Sequence, residues 1–151
     1  MFTNFEIMDQ YLDQTINFFF ENVSSNLKNK KKLKHFLGFL FKNEGRKLTS
    51  LNYIFCTDRA LLKINKDYLK HDFYTDIITF NFSHSASIAG EVYISVDRII
   101  ENAATYKVGF QRELHRVIFH GALHLCGYND KSSKQKKIMT HKEDFYLSLY
   151  L

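Results

Sequence analysis

The sequence predicts an α+β domain, in which a mixed sheet of about four strands packs with about five helices and a helix carrying the candidate site lies at the centre. Three observations point there. Two segments rich in β-branched and aromatic residues, "DIITFNF" and "GEVYISV", stand close together in mid-chain. Strand-like and helix-like apolar periods alternate before them, and from Asp97 onward the apolar residues follow the helical period. The 151 residues, 45% hydrophobic and 25% charged, contain no proline, no Gly/Ser-rich linker and no internal repeat, so residues 1–151 are expected to form a single domain.

Each element follows in order. "TINFFFE" at 15–21 is the first expected strand. Over 31–43, Leu33, Phe36, Leu37, Leu40 and Phe41 recur at i, i+3, i+4, i+7 and i+8, the stripe of an amphipathic helix, and Gly45 offers its stop. "SLNYIFCT" at 50–57 alternates around Leu51, Tyr53 and Phe55, predicting a second strand. Thr57 or Asp58 then caps a helix whose face carries Leu61, Ile64 and Tyr68. After a polar loop at 70–74 come the two mid-chain strands, joined by the turn material "SHSAS". Helices are predicted over about 97–107, 110–126 and 133–148, the last opened by Ser132 and Gln135 at capping-box spacing.

Composition excludes some classes and leaves others. No apolar run approaches the roughly 20 residues of a membrane span. "MFTNFEIMDQ" has no basic start and is interrupted by Glu6 and Asp9, unlike a signal peptide, so the expected location is the cytoplasm. Cys56 and Cys126 are the only cysteines and are expected to be buried thiols. The net charge of +5 is clustered, with five lysines in 28–34 and four at Lys131, Lys134, Lys136 and Lys137. Such clusters suit a phosphate backbone, although solvated faces carry lysine too.

The chemistry concentrates in "HGALHLCGYND", residues 120–130. On a helix, His120 and His124 share one face and can present two imidazoles to one ion. Gly127 lets the chain turn out of the helix, and Asp130 can swing back as third ligand. Three protein ligands leave one coordination position for water, the arrangement of a catalytic zinc; the same set also suits non-haem iron. Helical zinc proteases place a glutamate after the first histidine as general base. That slot is Gly121 here. A bound ion can instead activate water towards a phosphoryl centre, with Arg116, Lys131 and Lys134 as flanking cations. The residues alone lead to a metal-assisted hydrolase, with nucleic acid as a candidate substrate.

The same stretch resembles the signature of the YbeY-type endoribonucleases, the bacterial rRNA maturation factors, which runs His-Gly-x-Leu-His-Leu-x-Gly-Tyr-Asp-His. "YLKHDFYTDIITFNF" (68–82) and "GEVYIS" (90–95) are similar to that family's two upstream strands. The resemblance implies a zinc-dependent endoribonuclease acting on single-stranded RNA, with roles in maturation of small-subunit rRNA ends and ribosome quality control in the bacterial cytoplasm. It places His120 and His124 on the first two metal ligands. The family's Asp-His becomes Asn129-Asp130 here, which puts Asp130 in the third ligand's slot; His141 is the rival third ligand, with Asp130 then orienting a histidine. The family's arginine before the first of those strands is replaced by Leu69, leaving neighbouring Lys70 and His71 as candidate phosphate contacts. Two alternatives stand beside the nuclease: a non-catalytic RNA-binding ribosome-assembly factor with a structural metal, and a metalloprotease sharing the ligand spacing.

Overall fold

The computed structural model describes residues 1, 3–25 and 27–151. Its elements are α1 (Asn4–Thr15), β1 (Ile16–Phe20), α2 (Lys30–Asn43), β2 (Lys47–Cys56), α3 (Asp58–Leu69), β3 (Ile77–Asn81), β4 (Ser87–Ser95), α4 (Val96–Tyr106), α5 (Phe110–Leu125) and α6 (Ser133–Tyr150). The expected four strands and five helices are all present, with the α+β class.

One helix, α1, was not expected from the sequence. It buries only Leu12 and Thr15, so it carries almost no apolar stripe to announce it. Its signal was a capping box: the Thr3 hydroxyl accepts from the Glu6 N–H at 3.1 Å, and the Glu6 carboxylate accepts from the Thr3 N–H at 2.6 Å.

The strands form one mixed sheet in the order β1-β2-β4-β3. The pairs β1/β2 and β2/β4 are parallel, and β3 folds back on β4 as an antiparallel hairpin strand. That hairpin sends β3 to the edge of the sheet, so among the described residues the strand nearest the candidate site pairs with β4 alone.

Consecutive residues of a strand point to opposite faces, and β3 divides its neighbours accordingly. Ile77 packs towards α5, while Ile78 joins Cys56 and Leu61 in a small cluster beneath α3. On the α5 face lies the main core, built from Leu33, Leu37 and Phe41 of α2, Leu51, Tyr53 and Phe55 of β2, and Val117, Ile118 and Leu123 of α5. Both cysteines are buried free thiols whose pKa values burial pushes up to about 12.

Helix α5 lies unusually close to the sheet. A Cβ at Gly121 would stand 2.7 Å from Val92 Cγ1 and 3.1 Å from Ile77 Cδ1. Overpacking of that kind costs about 1–3 kcal/mol. Position 121 therefore faces the sheet, and its lack of a side chain is a packing requirement as well as the lack of a protease base.

Candidate metal centre

Helix α5 ends on a Schellman turn. The Tyr128 N–H bonds the Leu123 carbonyl at 3.1 Å and the Gly127 N–H bonds the His124 carbonyl at 3.0 Å. Gly127 adopts φ +105°, a conformation that side chains with a Cβ rarely take. The turn reverses the chain and returns Asp130 over the last helical turn.

The outcome is a convergence of three donors. Asp130 Oδ2 lies 3.2 Å from His120 Nε2 and 3.5 Å from His124 Nε2, and one ligand atom from each residue lies within 4.8 Å of the others. Tetrahedral coordination with bonds of about 2.0–2.1 Å holds ligand atoms roughly 3.3 Å apart, so the spacing fits a zinc-sized cation.

Each imidazole is oriented from behind. His120 Nδ1 contacts the Glu143 carboxylate of α6 at 2.5 Å, and His124 Nδ1 contacts the Tyr128 carbonyl at 2.9 Å. A proton held on Nδ1 by an acceptor leaves the Nε2 lone pair directed at the centre. Burial, aided by neighbouring His120, holds the His124 pKa below its usual value, which favours the neutral ring that a ligand needs.

Behind these residues lie three carboxylates that the sequence did not reveal, Glu143, Glu113 and Glu44, with side chains 5%, 2% and 7% exposed. Glu143 also accepts from Arg116 at 3.1 Å, and Arg116 makes a two-pronged contact with Glu113 at 2.7 and 2.8 Å. Burial alone would lower the Arg116 pKa; the Glu113 and Glu143 carboxylates outweigh it and hold the guanidinium charged. Glu44, at the end of α2, accepts from the Tyr128 hydroxyl at 2.6 Å, from Lys142 at 3.1 Å and from the Tyr146 hydroxyl. The two rear supports are thus Arg116–Glu143–His120 and Glu44–Tyr128–His124.

The remaining sequence candidates are distributed unevenly. His141 is exposed beside Asn43, Ile138 and Phe145, outside the group formed by His120, His124 and Asp130. Arg116 has its charge balanced inside the fold by Glu113 and Glu143. Lys131 is exposed and lines a groove of about 490 Å³ together with His124, while Lys134 is exposed in the first turn of α6. Leu69 and Phe73 line the same groove; Lys70 caps α3, and His71 stacks on Phe73 with centroids 5.1 Å apart. In the 28–34 cluster, Lys31 and Lys34 pair with Asp9 and Asp13 of α1 at 2.8 and 3.1 Å, which reduces its phosphate-attracting charge.

Comparison with known proteins bears on this arrangement. Residues 15–150 match the family described as Endoribonuclease YbeY. A Cytophaga hutchinsonii protein named Endoribonuclease YbeY is 45% identical over 138 residues, covering 91% of this chain and 96% of that protein. Its namesake from Parabacteroides distasonis is 38% identical, covering 89% of this chain and 94% of that one. A Thermotoga maritima protein solved in solution superimposes with a TM-score of 0.59 at 26% identity, covering 89% of this chain and 87% of that one.

Proposed function

The chain belongs to the YbeY endoribonuclease family, and from that premise we propose that it is a zinc-dependent endoribonuclease cutting single-stranded RNA in the maturation of small-subunit rRNA ends. Ribosome quality control in the cytoplasm and association with the ribosomal subunit are parts of the same proposal, as is the operation of residues 1–151 as one domain. No helix among the described residues is long and apolar enough to cross a membrane.

The observation that carries the reading is the convergence of His120 Nε2, His124 Nε2 and Asp130 Oδ2 beside an open groove. In this account those three atoms hold the zinc. When bound, it supplies Lewis acidity and lowers the pKa of a coordinated water to about 7. The chain does the rest. Glu143 and the Tyr128 carbonyl fix the two rings, so little reorganisation is needed on binding. Lys131, beside His124 at the groove, and Lys134 contact the RNA phosphates, with Lys70 and His71 contributing from the α3 end. Arg116, 3.1 Å from Glu143, holds that carboxylate in place against His120. The position of the protease base is occupied by Gly121, packed against Val92, so nothing there can draw a proton from water.

Cleavage of a labelled single-stranded RNA by the zinc-loaded protein tests this. A chelator is expected to stop cleavage, and zinc to restore it. Asp130→Ala is expected to lose bound zinc and activity, whereas His141→Ala retains both. Cleavage that survives metal removal, or full zinc occupancy in Asp130→Ala, contradicts the reading.

A further inference from the structure

The groove beside His124 runs along the open edge of the sheet. In an antiparallel pair, alternate residues direct both their N–H and C=O at the partner strand, and the residues between direct theirs away. Here Phe82 donates to Ala89 at 2.8 Å, and Ser95 donates to Asp76 at 3.0 Å. With the register Ile77↔Ile94 to Asn81↔Gly90, residues 76, 78, 80 and 82 therefore bond to β4, and Ile77, Thr79 and Asn81 turn their backbone groups outward. Those three are also groove-lining residues. The Ile77 carbonyl is taken by the Thr75 hydroxyl at 3.3 Å. The Thr79 N–H and carbonyl and the Asn81 N–H are left in a row of donors and acceptors facing the groove, with no strand beyond them among the described residues.

Three further features accompany this edge. The Thr79 hydroxyl is buried and has no hydrogen-bond partner among the described residues. Phe73, 56% exposed and stacked on His71, walls the groove with an aromatic ring. Lys131 stands with His124 at the groove. Backbone donors and acceptors, an aromatic wall and a cation next to a phosphate-directed centre are together what one nucleotide needs.

We infer that the β3 edge captures one unpaired nucleobase by its Watson–Crick edge, stacked against Phe73, while the adjoining phosphate lies near Lys131 and the metal centre. Every RNA base carries a donor beside an acceptor on that edge, so the capture tolerates any base. A base already paired in a duplex has no free edge to offer. Selectivity for single strands is thereby assigned to the main chain of Thr79 and Asn81. The inference rests on the ribonuclease reading above.

An open strand edge also accepts extended peptides, by strand addition. The charge of Lys131 and Lys134, the packed glycine at position 121 and the aromatic wall favour RNA, and the peptide becomes an outcome of the test.

The test uses the zinc-loaded full chain and a cleavage-resistant 2′-O-methyl phosphorothioate hexanucleotide, followed by fluorescence anisotropy. Abasic sites are placed one position at a time, and the duplex form is measured alongside. One abasic position is expected to weaken binding about five- to a hundredfold, the range that base–aromatic stacking supplies, with the others nearly neutral. The duplex should bind correspondingly more weakly.

Thr79→Pro removes an N–H that the ladder does not use, a substitution that edge strands tolerate. It is expected to weaken the single strand about tenfold and to erase most of the penalty at the sensitive position. Phe73→Leu, at a half-exposed position, should do the same and stands in if the proline variant does not fold. Equal penalties at all positions, equal binding of duplex and single strand, or no binding of the hexanucleotide by the folded protein would each overturn the inference. So would an extended peptide whose binding Thr79→Pro abolishes while RNA binding stays intact. Binding and cleavage separate the two proposals: a position-specific penalty without any cleavage refutes the reaction and keeps the subsite. Cleavage that ignores strandedness keeps the reaction and refutes the subsite.

Discussion

Replacing His124 with alanine is expected to release the bound zinc and reduce RNA cleavage to background. The variant leaves Asp130 with a single imidazole, where the wild type has Nε2 atoms at 3.2 and 3.5 Å. Loss of a direct ligand should weaken zinc by more than the roughly 10–100-fold that removal of a supporting partner costs. The His124 side chain is 23% exposed and its ring lies at the groove, so the metal-free variant should melt within a few degrees of the metal-free wild type. Zinc titration against a chelating dye, thermal melting and cleavage on the same preparations separate a ligand defect from unfolding. Cleavage equal to wild type would trace the activity to a contaminating nuclease.

Glu143→Ala is expected to have the largest effect on stability. The Glu143 side chain is 5% exposed and lies between the Arg116 guanidinium at 3.1 Å and His120 Nδ1 at 2.5 Å. Removing one member of a buried ion pair typically costs about 3–5 kcal/mol, because the charge left behind has lost its partner. Glu113 still faces Arg116, which places the expected cost at the lower end of that range. For a domain of this size the melting temperature should fall by about ten degrees. Zinc affinity should also fall about 10–100-fold, since His120 loses the acceptor that orients it. Glu143→Gln keeps the shape and one acceptor and should retain more of both properties. Unchanged melting and zinc affinity in Glu143→Ala would show that the Arg116–Glu143–His120 chain does not support the centre.

How much of this was legible in the sequence follows the distance between partners. His120, His124, Gly127 and Asp130 lie within eleven residues and are related by one helix turn and one reversal, so spacing alone predicts their convergence. The final helix was announced by the capping box of Ser132 and Gln135, which is present. Glu143 and Glu44 were silent because their roles depend on packing. One lies 23 residues from His120, and the other 84 residues from Tyr128. Nothing local marks a glutamate that will be buried against a histidine of another helix. Arg116 illustrates the converse: it reads as a free cation next to the motif, yet α6 and its own helix supply carboxylates that absorb its charge.

The same distinction applies to the sheet. Strand existence was legible from β-branched and aromatic runs, whereas strand order was not, since it depends on where a parallel crossover inserts. Placement of β3 at the edge follows from β4 pairing with β2, a contact between segments 39–40 residues apart. The open edge, and with it the groove, comes from topology.

Anomalous diffraction at the zinc edge, from crystals of the zinc-loaded protein, tests the central claim most directly. The account predicts one ion about 2.0–2.2 Å from His120 Nε2, His124 Nε2 and Asp130 Oδ2, with a non-protein oxygen in the fourth position. An ion held by His141, a fourth protein atom closing the site, or no ion between these three side chains would contradict it.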